Sequence, residues 1–362
     1  MKNKYYSLKA ILARGAHYNM IFGERSSGKT TAILEYGLRR WIEHGEQMAY
    51  LRRWDEEFVG KRGSQLFADI VQRGVISKLT KGEWTGVKYY ASKWYLTRID
   101  ATTEKQEVQE TPFCYGFALS TMEHDKSISF PNVTTVFFDE FLTRFTYLQD
   151  EFILFCNTLS TIIRQRKNVT IFMAGNTVTK YCPYFAEMGL TEVKKMKPGD
   201  IDVYTYGDSG LLVAVEYAEP NVKGKDSDVY FAFKNPKLQM ITTGAWELAI
   251  YPHCPVKYVP ADILATYFIV FEGDILQCEI IRKEDLTFTF IHRKTTPLKN
   301  PEGDLIYSPE YTPRPNWRRK ITKPQSRKEK VVASFFAKDK VFYQDNEVGE
   351  IVRNYVKWCA TA

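Results

Sequence analysis

The segment GERSSGKTT, residues 23–31, carries the clearest chemistry in the chain. Gly23, Gly28, Lys29 and Thr30 satisfy the pattern G-x-x-x-x-G-K-[ST], and Glu24, Arg25, Ser26, Ser27 and Thr31 complete the loop. Glycines at these positions let successive backbone N–H groups turn inward onto phosphate oxygens, and the positive end of a following helix adds to the attraction. Lys29 is expected to reach the outer phosphates of ATP, and Thr30 to ligate Mg²⁺. Asp139 and Glu140 close the apolar run Val133–Phe138. Successive strand residues face opposite sides, so one carboxylate can serve the metal while its neighbour polarises an attacking water. A simple kinase has no need of Glu140, and the pair therefore favours a hydrolase.

Arg164 and Arg166 follow an amphipathic stretch. They read either as cations complementing a helix end or as an arginine finger reaching the γ-phosphate of a neighbouring subunit. Asn176 ends the next apolar run, where a side chain can sense γ-phosphate or lytic water.

The elements needed to position these groups are visible in the hydrophobic pattern. Tyr18–Phe22 reads as a buried strand, and Leu34, Leu38, Trp41 and Ile42 recur at helical spacing up to Gly45. Met48–Leu51 reads as the next strand, ending in Arg52 and Arg53. A hairpin is expected around Val87–Arg98, with strands at Phe113–Leu119, Val133–Phe138 and Val169–Ala174. Leu148, Phe152, Phe155, Leu159 and Ile162 form one helical stripe. Strands alternating with helices imply an α/β domain with a mainly parallel sheet over residues 1–219. Residues 220–255 read as a linker with a small subdomain. Residues 256–362 form a second, smaller α+β domain: a meander of Thr266–Phe271, Ile275–Ile281 and Leu286–His292, then a closing helix over Asn346–Lys357.

Composition bounds the function. The 362 residues are 44% hydrophobic and carry a formal charge of +7, enough for two folded cores. No apolar run approaches membrane-spanning length, and the start, MKNKYYSLKA, lacks the apolar core of a secretory signal. The six scattered cysteines read as reduced thiols, and His253–Cys254 as an ordinary turn. Charge concentrates in Arg314–Lys330, with eight Lys or Arg against one acid, Glu329. Such a cluster marks a surface facing a polyanion or a solvated loop.

The order of HGEQMAYLRRW, FPNVTTVFFDEF, RQRKNVTIFMAGN and CPYF resembles the φ29-type bacteriophage DNA-packaging ATPases over the first ~200 residues. The resemblance implies a P-loop fold of the additional-strand, conserved-glutamate class and a homomeric ring, as a pentamer, docked on a portal. Its cargo would be double-stranded DNA entering a prohead in the host cytoplasm, in some relatives with a packaging RNA. It favours Arg164 over Arg166 as the finger acting in trans. Arg52 and Arg53 match as nucleotide sensors or DNA contacts. Trp54-Asp55-Glu56-Glu57 departs from the family's pattern where a further basic residue is expected, leaving Lys61 or Arg62 to substitute.

The second domain resembles the RNase H-like nuclease domain of larger terminases. Its first strand carries no carboxylate, and Glu272 and Asp274 fall in a turn, so no nuclease activity is expected. Arg318, Arg319 and Lys320 then belong to a docking surface for DNA, portal or RNA. A helicase or partition-type ATPase acting without a portal shares the same nucleotide residues, as does a non-motor P-loop kinase or switch.

Overall fold

The computed structural model describes residues 6–24, 27–122, 129–143, 147–176, 181–219, 251–310 and 312–360. Arg25, Ser26 and most of the stretch read as a linker lie outside them. The chain forms two units. One holds residues 1–144, 150–234 and 241–245; the other holds 145–149, 235–240 and 246–362.

The first unit opens with a short helix, Lys9–Leu12 (α1), strand Tyr18–Gly23 (β1) and the long helix Lys29–His44 (α2). Gln47–Arg52 (β2) precedes three one-turn helices, Lys61–Gln65 (α3), Ala68–Gln72 (α4) and Val75–Leu79 (α5). Strands Gly86–Tyr90 (β3), Lys93–Ile99 (β4), Gln106–Val108 (β5) and Cys114–Ala118 (β6) lead to Val133–Asp139 (β7). Helix Glu151–Ile163 (α6), strand Thr170–Asn176 (β8), helix Pro183–Glu187 (α7) and the pair Ile201–Tyr206 (β9) and Leu211–Tyr217 (β10) complete it. The expected strands and the two long helices are present, although Leu148 precedes α6 and does not join its stripe. The β9–β10 pair was not anticipated.

One sheet runs β3-β4-β6-β2-β7-β8-β1-β10-β9, with β5 against β4. The six strands from β6 to β10 are mutually parallel. Parallel strands covered on both faces favour apolar and β-branched side chains throughout, which is why Val133–Phe138 and Phe172–Ala174 do not alternate with charged residues. Phe137, Phe138, Phe172 and Met173 are fully enclosed. The register places Gly23 beside Asn176, and Asp139 beside Ala174, two residues before that strand's end. The sheet therefore delivers the ends of β1, β2, β7 and β8 to one carboxyl edge, where ligands of open α/β sheets bind.

In the second unit, Ile263–Phe271 (β11), Asp274–Lys283 (β12) and Leu286–Arg293 (β13) form the expected meander. Short strands Ile306–Tyr307 (β14) and Trp317–Arg318 (β15) add in parallel beside β11. Helix Arg327–Ala337 (α8), strand Val341–Tyr343 (β16) and helix Asn346–Ala360 (α9) finish the unit. Val348, Ile351, Val352, Tyr355 and Cys359 make the buried stripe of α9.

The basic stretch Arg314–Lys330 is divided among several elements. Arg318 lies in β15 and ion-pairs through Nε with the buried Glu329 at 3.0 Å. The Arg319 carbonyl accepts from the Tyr355 hydroxyl at 2.6 Å. Residues 327–330 open α8, with Ser326 Oγ capping the Glu329 N–H. Arg319 and Lys320 are half-buried, while Arg314, Lys323, Arg327, Lys328 and Lys330 remain exposed. Asp274 pairs with Arg293 at 2.5 Å and braces the hairpin. Among the described residues, no cluster of three His, Cys, Asp or Glu could hold a metal ion.

Candidate nucleotide site

The phosphate loop leaves the sheet at Gly23 and re-enters regular structure at Lys29. Gly28 caps α2 with φ +88°, a left-handed conformation that a side chain would strain. A Cβ at Gly23 would lie 3.1 Å from the Ala218 carbonyl, so bulk there would push the loop off the sheet. Lys29 Nζ donates to the carbonyls of Glu24 (2.6 Å) and Gly23 (3.3 Å) and to Ser27 Oγ (3.0 Å).

Burial pulls the Lys29 ammonium down to about 8, partly opposed by Asp139. A phosphate ligand would restore the ordinary lysine range. Nucleotide binding above pH 8 should therefore take up a proton, with affinity falling by up to about tenfold per pH unit. Below pH 8 the lysine is already charged and the uptake vanishes. Calorimetry in buffers of different ionisation enthalpy at pH 7 and pH 9 checks this. Without ligand, folding stability should rise between about 8 and 10.5, because the unfolded lysine binds its proton more tightly.

Asp139 sits at the end of β7 beside the loop. Its Oδ1 accepts from Thr30 Oγ1 at 3.2 Å and its Oδ2 from the Tyr50 hydroxyl at 3.1 Å. Burial pushes its carboxyl up, and the nearby Arg52 guanidinium opposes this. Two hard oxygens, from Thr30 and Asp139, thus lie side by side, and this donor set fits Mg²⁺. Glu140 follows in a left-handed conformation, φ +57°, which turns its side chain out of the sheet. That carboxylate is 57% exposed and bonds Arg52 at 3.0 Å. Arg52 also pairs with Glu57 and lies 3.5 Å from Asp139. One guanidinium at the end of β2 therefore serves three carboxylates.

A cavity of about 290 Å³ joins these groups. Ser27–Thr31, Asp139, Glu140, Asn176 and Asp69 all line it. Asp69, on α4, was missed: a single acid in the polar stretch after β2 carries no motif, and only the fold brings it to the loop. Arg73, one turn on, pairs with it at 3.1 Å.

Arg52 and Arg53, adjacent in sequence, have different surroundings. The DNA-contact reading of Arg53 is corrected, because its side chain is 6% exposed and clamps the fully buried Glu151 at 2.7 Å. It also donates to the Phe141 carbonyl at 2.9 Å, while Tyr184 donates to Glu151 at 2.8 Å. Arg53→Ala should cost about 3–5 kcal/mol, since it strands a buried carboxylate; chemical denaturation measures the loss. Arg52 turns to Asp139 and Glu140 and not to an outer surface. Lys61 and Arg62 are exposed on α3, where Arg62 donates to the Glu56 carbonyl.

The two candidate fingers also separate. The Arg166 guanidinium is spent on backbone carbonyls, among them Phe130 (2.9 Å), Pro131 (2.7 Å) and Ile162 (2.7 Å). It ties the start of β7 to the end of α6. Arg164 caps α6 with φ +55° and is exposed. Because α6 returns the chain to the start of β8, Arg164 lies at the amino edge of the sheet. The phosphate loop leaves β1 at the opposite, carboxyl edge.

The phosphate loop on β1, the acid pair on β7 and the strand β8 inserted between them define a P-loop fold of the additional-strand, conserved-glutamate class. Comparison with known proteins narrows the class. The chain belongs to the podovirus DNA encapsidation protein (Gp16) family, which matches residues 1–91 and 105–199. It is 28% identical over 187 residues to the DNA packaging proteins of Bacillus phages PZA and phi29, covering 51% of this chain and 50% of theirs. The chain thus spans about half the length of these relatives. The bacteriophage Phi-29 viral genome packaging motor assembly superposes with TM-score 0.57 at 18% identity over 98% of this chain and 99% of that one. The Phi-28 gp11 DNA packaging motor gives 0.55 at 18% identity over 99% and 98%. These structures share the fold along nearly the whole chain.

Proposed function

We propose that this protein is an ATP hydrolase that drives double-stranded viral DNA into a preformed prohead. The observation that carries the reading is the cluster Lys29–Thr30–Asp139–Glu140, assembled at the carboxyl edge of the sheet in a chain of the encapsidation family. In this account Lys29 and the loop amides hold the β- and γ-phosphates, and Asn176 faces the γ-phosphate from β8. Thr30 and Asp139 would hold Mg²⁺, which when bound would screen phosphate charge. Glu140 orients the attacking water and accepts its proton. Arg52 holds Glu140 away from that task until the site fills, so hydrolysis waits on the exchange of an ion pair.

The place of Arg164, at the amino edge of its own sheet, supports a ring as the working unit. In this account its γ-phosphate partner is a neighbour's, and each interface supplies one complete site. The family relationship supports a homopentamer on the portal, acting in the host cytoplasm on the prohead and in some members with a packaging RNA. Exposed Lys61, Arg62 and Lys328 suit contact with a phosphate backbone or its docking partners. The second unit, with order β13-β12-β11-β14-β15, suits an RNase H-like fold, and β11 lacks the carboxylate a nuclease requires.

A grip on backbone charge is independent of sequence and weakens steeply with salt. Duplex DNA should stimulate ATP turnover equally for unrelated sequences, and the stimulation should disappear between roughly 50 and 200 mM salt. Strand displacement on a forked duplex without any prohead, or phosphate transfer to a small acceptor, would overturn the reading.

A further inference from the structure

Glu216 is a buried carboxyl that the mechanism above leaves unused. Glu216 lies on β10, 8% exposed, and its strand partners are Ile21 and Ile201. Nothing in sheet packing asks for an acid there, and burial pushes its carboxyl up. Among the described residues its hydrogen-bond partner is the Tyr6 hydroxyl, at 2.6 Å. Tyr6 is far away in sequence, in the segment ahead of β1. Its own backbone N–H donates to the Ser27 carbonyl in the phosphate loop at 3.1 Å. Ser27 Oγ in turn accepts from Lys29 Nζ at 3.0 Å. Leu8 and Ile11, just beyond Tyr6, are buried in the same core as Ile21, Ala214 and Ala218. A continuous path of hydrogen bonds therefore runs Glu216–Tyr6–Ser27–Lys29.

We propose that Tyr6 is a positioning residue for the nucleotide: anchored on Glu216, it braces the phosphate loop from behind, and its undocking is the step that lets spent nucleotide leave. The inference rests on the nucleotide-site reading above and adds to it a release gate at the amino-terminal segment. A loop with two glycines has many conformations to lose on binding. A brace fixed to the sheet removes some of that freedom beforehand. The link is built for this, because a short hydrogen bond onto a carboxylate is among the stronger neutral-to-charged kinds. Tyr6 reaches the loop through its main chain, so the side chain acts only by holding the segment in place.

The test is the rate of fluorescent mant-ADP release from the full-length protein with Mg²⁺, by stopped flow. Tyr6→Phe keeps the ring and the N–H but loses the hydroxyl, and release should quicken about tenfold. Glu216→Met should do the same. The double variant should be no faster than either single one, because both changes break one path. Glu216→Gln, whose amide oxygen still accepts from Tyr6, should release close to the wild-type rate, a rescue that simple loss of packing would not produce. In the wild-type protein, amide exchange of residues 6–12 and 23–31 should slow together when ADP is added. Failure of the wild-type protein to bind ADP would overturn the nucleotide site and this proposal with it. Binding with unchanged release in both single variants, or residues 6–12 indifferent to ADP, would overturn the brace alone.

Discussion

Glu140→Gln is expected to lower ATP hydrolysis by about a thousandfold while leaving nucleotide affinity within a few-fold. The carboxylate is more than half exposed and makes no part of the core, so folding should be unaffected. Its backbone N–H donates to Asp139 Oδ1 at 3.1 Å, a bond the amide variant keeps. Thr30 and Asp139 retain their geometry, and Lys29 keeps its place in the loop. What disappears is the carboxylate assigned to take a proton from the attacking water. Single-turnover hydrolysis alongside equilibrium nucleotide binding separates the two effects. Activity within about tenfold of wild type would move the catalytic base elsewhere in the site.

Arg164→Ala should be nearly as damaging, with a loss of about a thousandfold or more, and only in assembled rings. Nucleotide binding by the isolated chain should not change, because Arg164 lies at the opposite edge of its own sheet. A mixing experiment tells a trans role from a structural one. Glu140→Gln subunits carry an intact Arg164, and Arg164→Ala subunits carry an intact Glu140. Each is inactive alone, and mixed rings should recover part of the activity at interfaces that combine the two intact halves. Rings that form but stay inactive would refute the assignment. Arg166→Ala should instead lower stability, since its guanidinium joins α6 to the start of β7 through backbone carbonyls.

Much of this was legible in the residues, for physical reasons. Strands buried on both faces need not alternate with polar residues, so β1, β7 and β8 stand out as largely apolar and β-branched runs, and the loop and acids at their ends inherit positions from them. The edge strand β9, IDVYTY, has no fully buried residue and sends no such signal. The helix α8 was hidden by its own charge. RKEK at its start reads as solvated chain, although Val332 and Phe335 are buried and Glu329 is enclosed. Residue type also cannot say which of two adjacent arginines faces inward. Arg52 and Arg53 sit at a strand end where one side chain meets Asp139 and Glu140 and the other meets Glu151, and only the packed α6 and α7 decide between them. Asp69 and Glu216 gave no signal, because single acids acquire meaning from neighbours distant in sequence.

The central claim is that the phosphate loop powers DNA movement into a capsid. Its most direct test is ATP-dependent uptake of double-stranded DNA into purified proheads, scored by protection from added nuclease, with Lys29→Ala as the control. The account predicts protected DNA with the wild-type protein and ATP, and none with Lys29→Ala or with a non-hydrolysable analogue. Uptake that proceeds with Lys29→Ala, or wild-type protein that hydrolyses ATP on portal-bearing proheads yet moves no DNA, would contradict it.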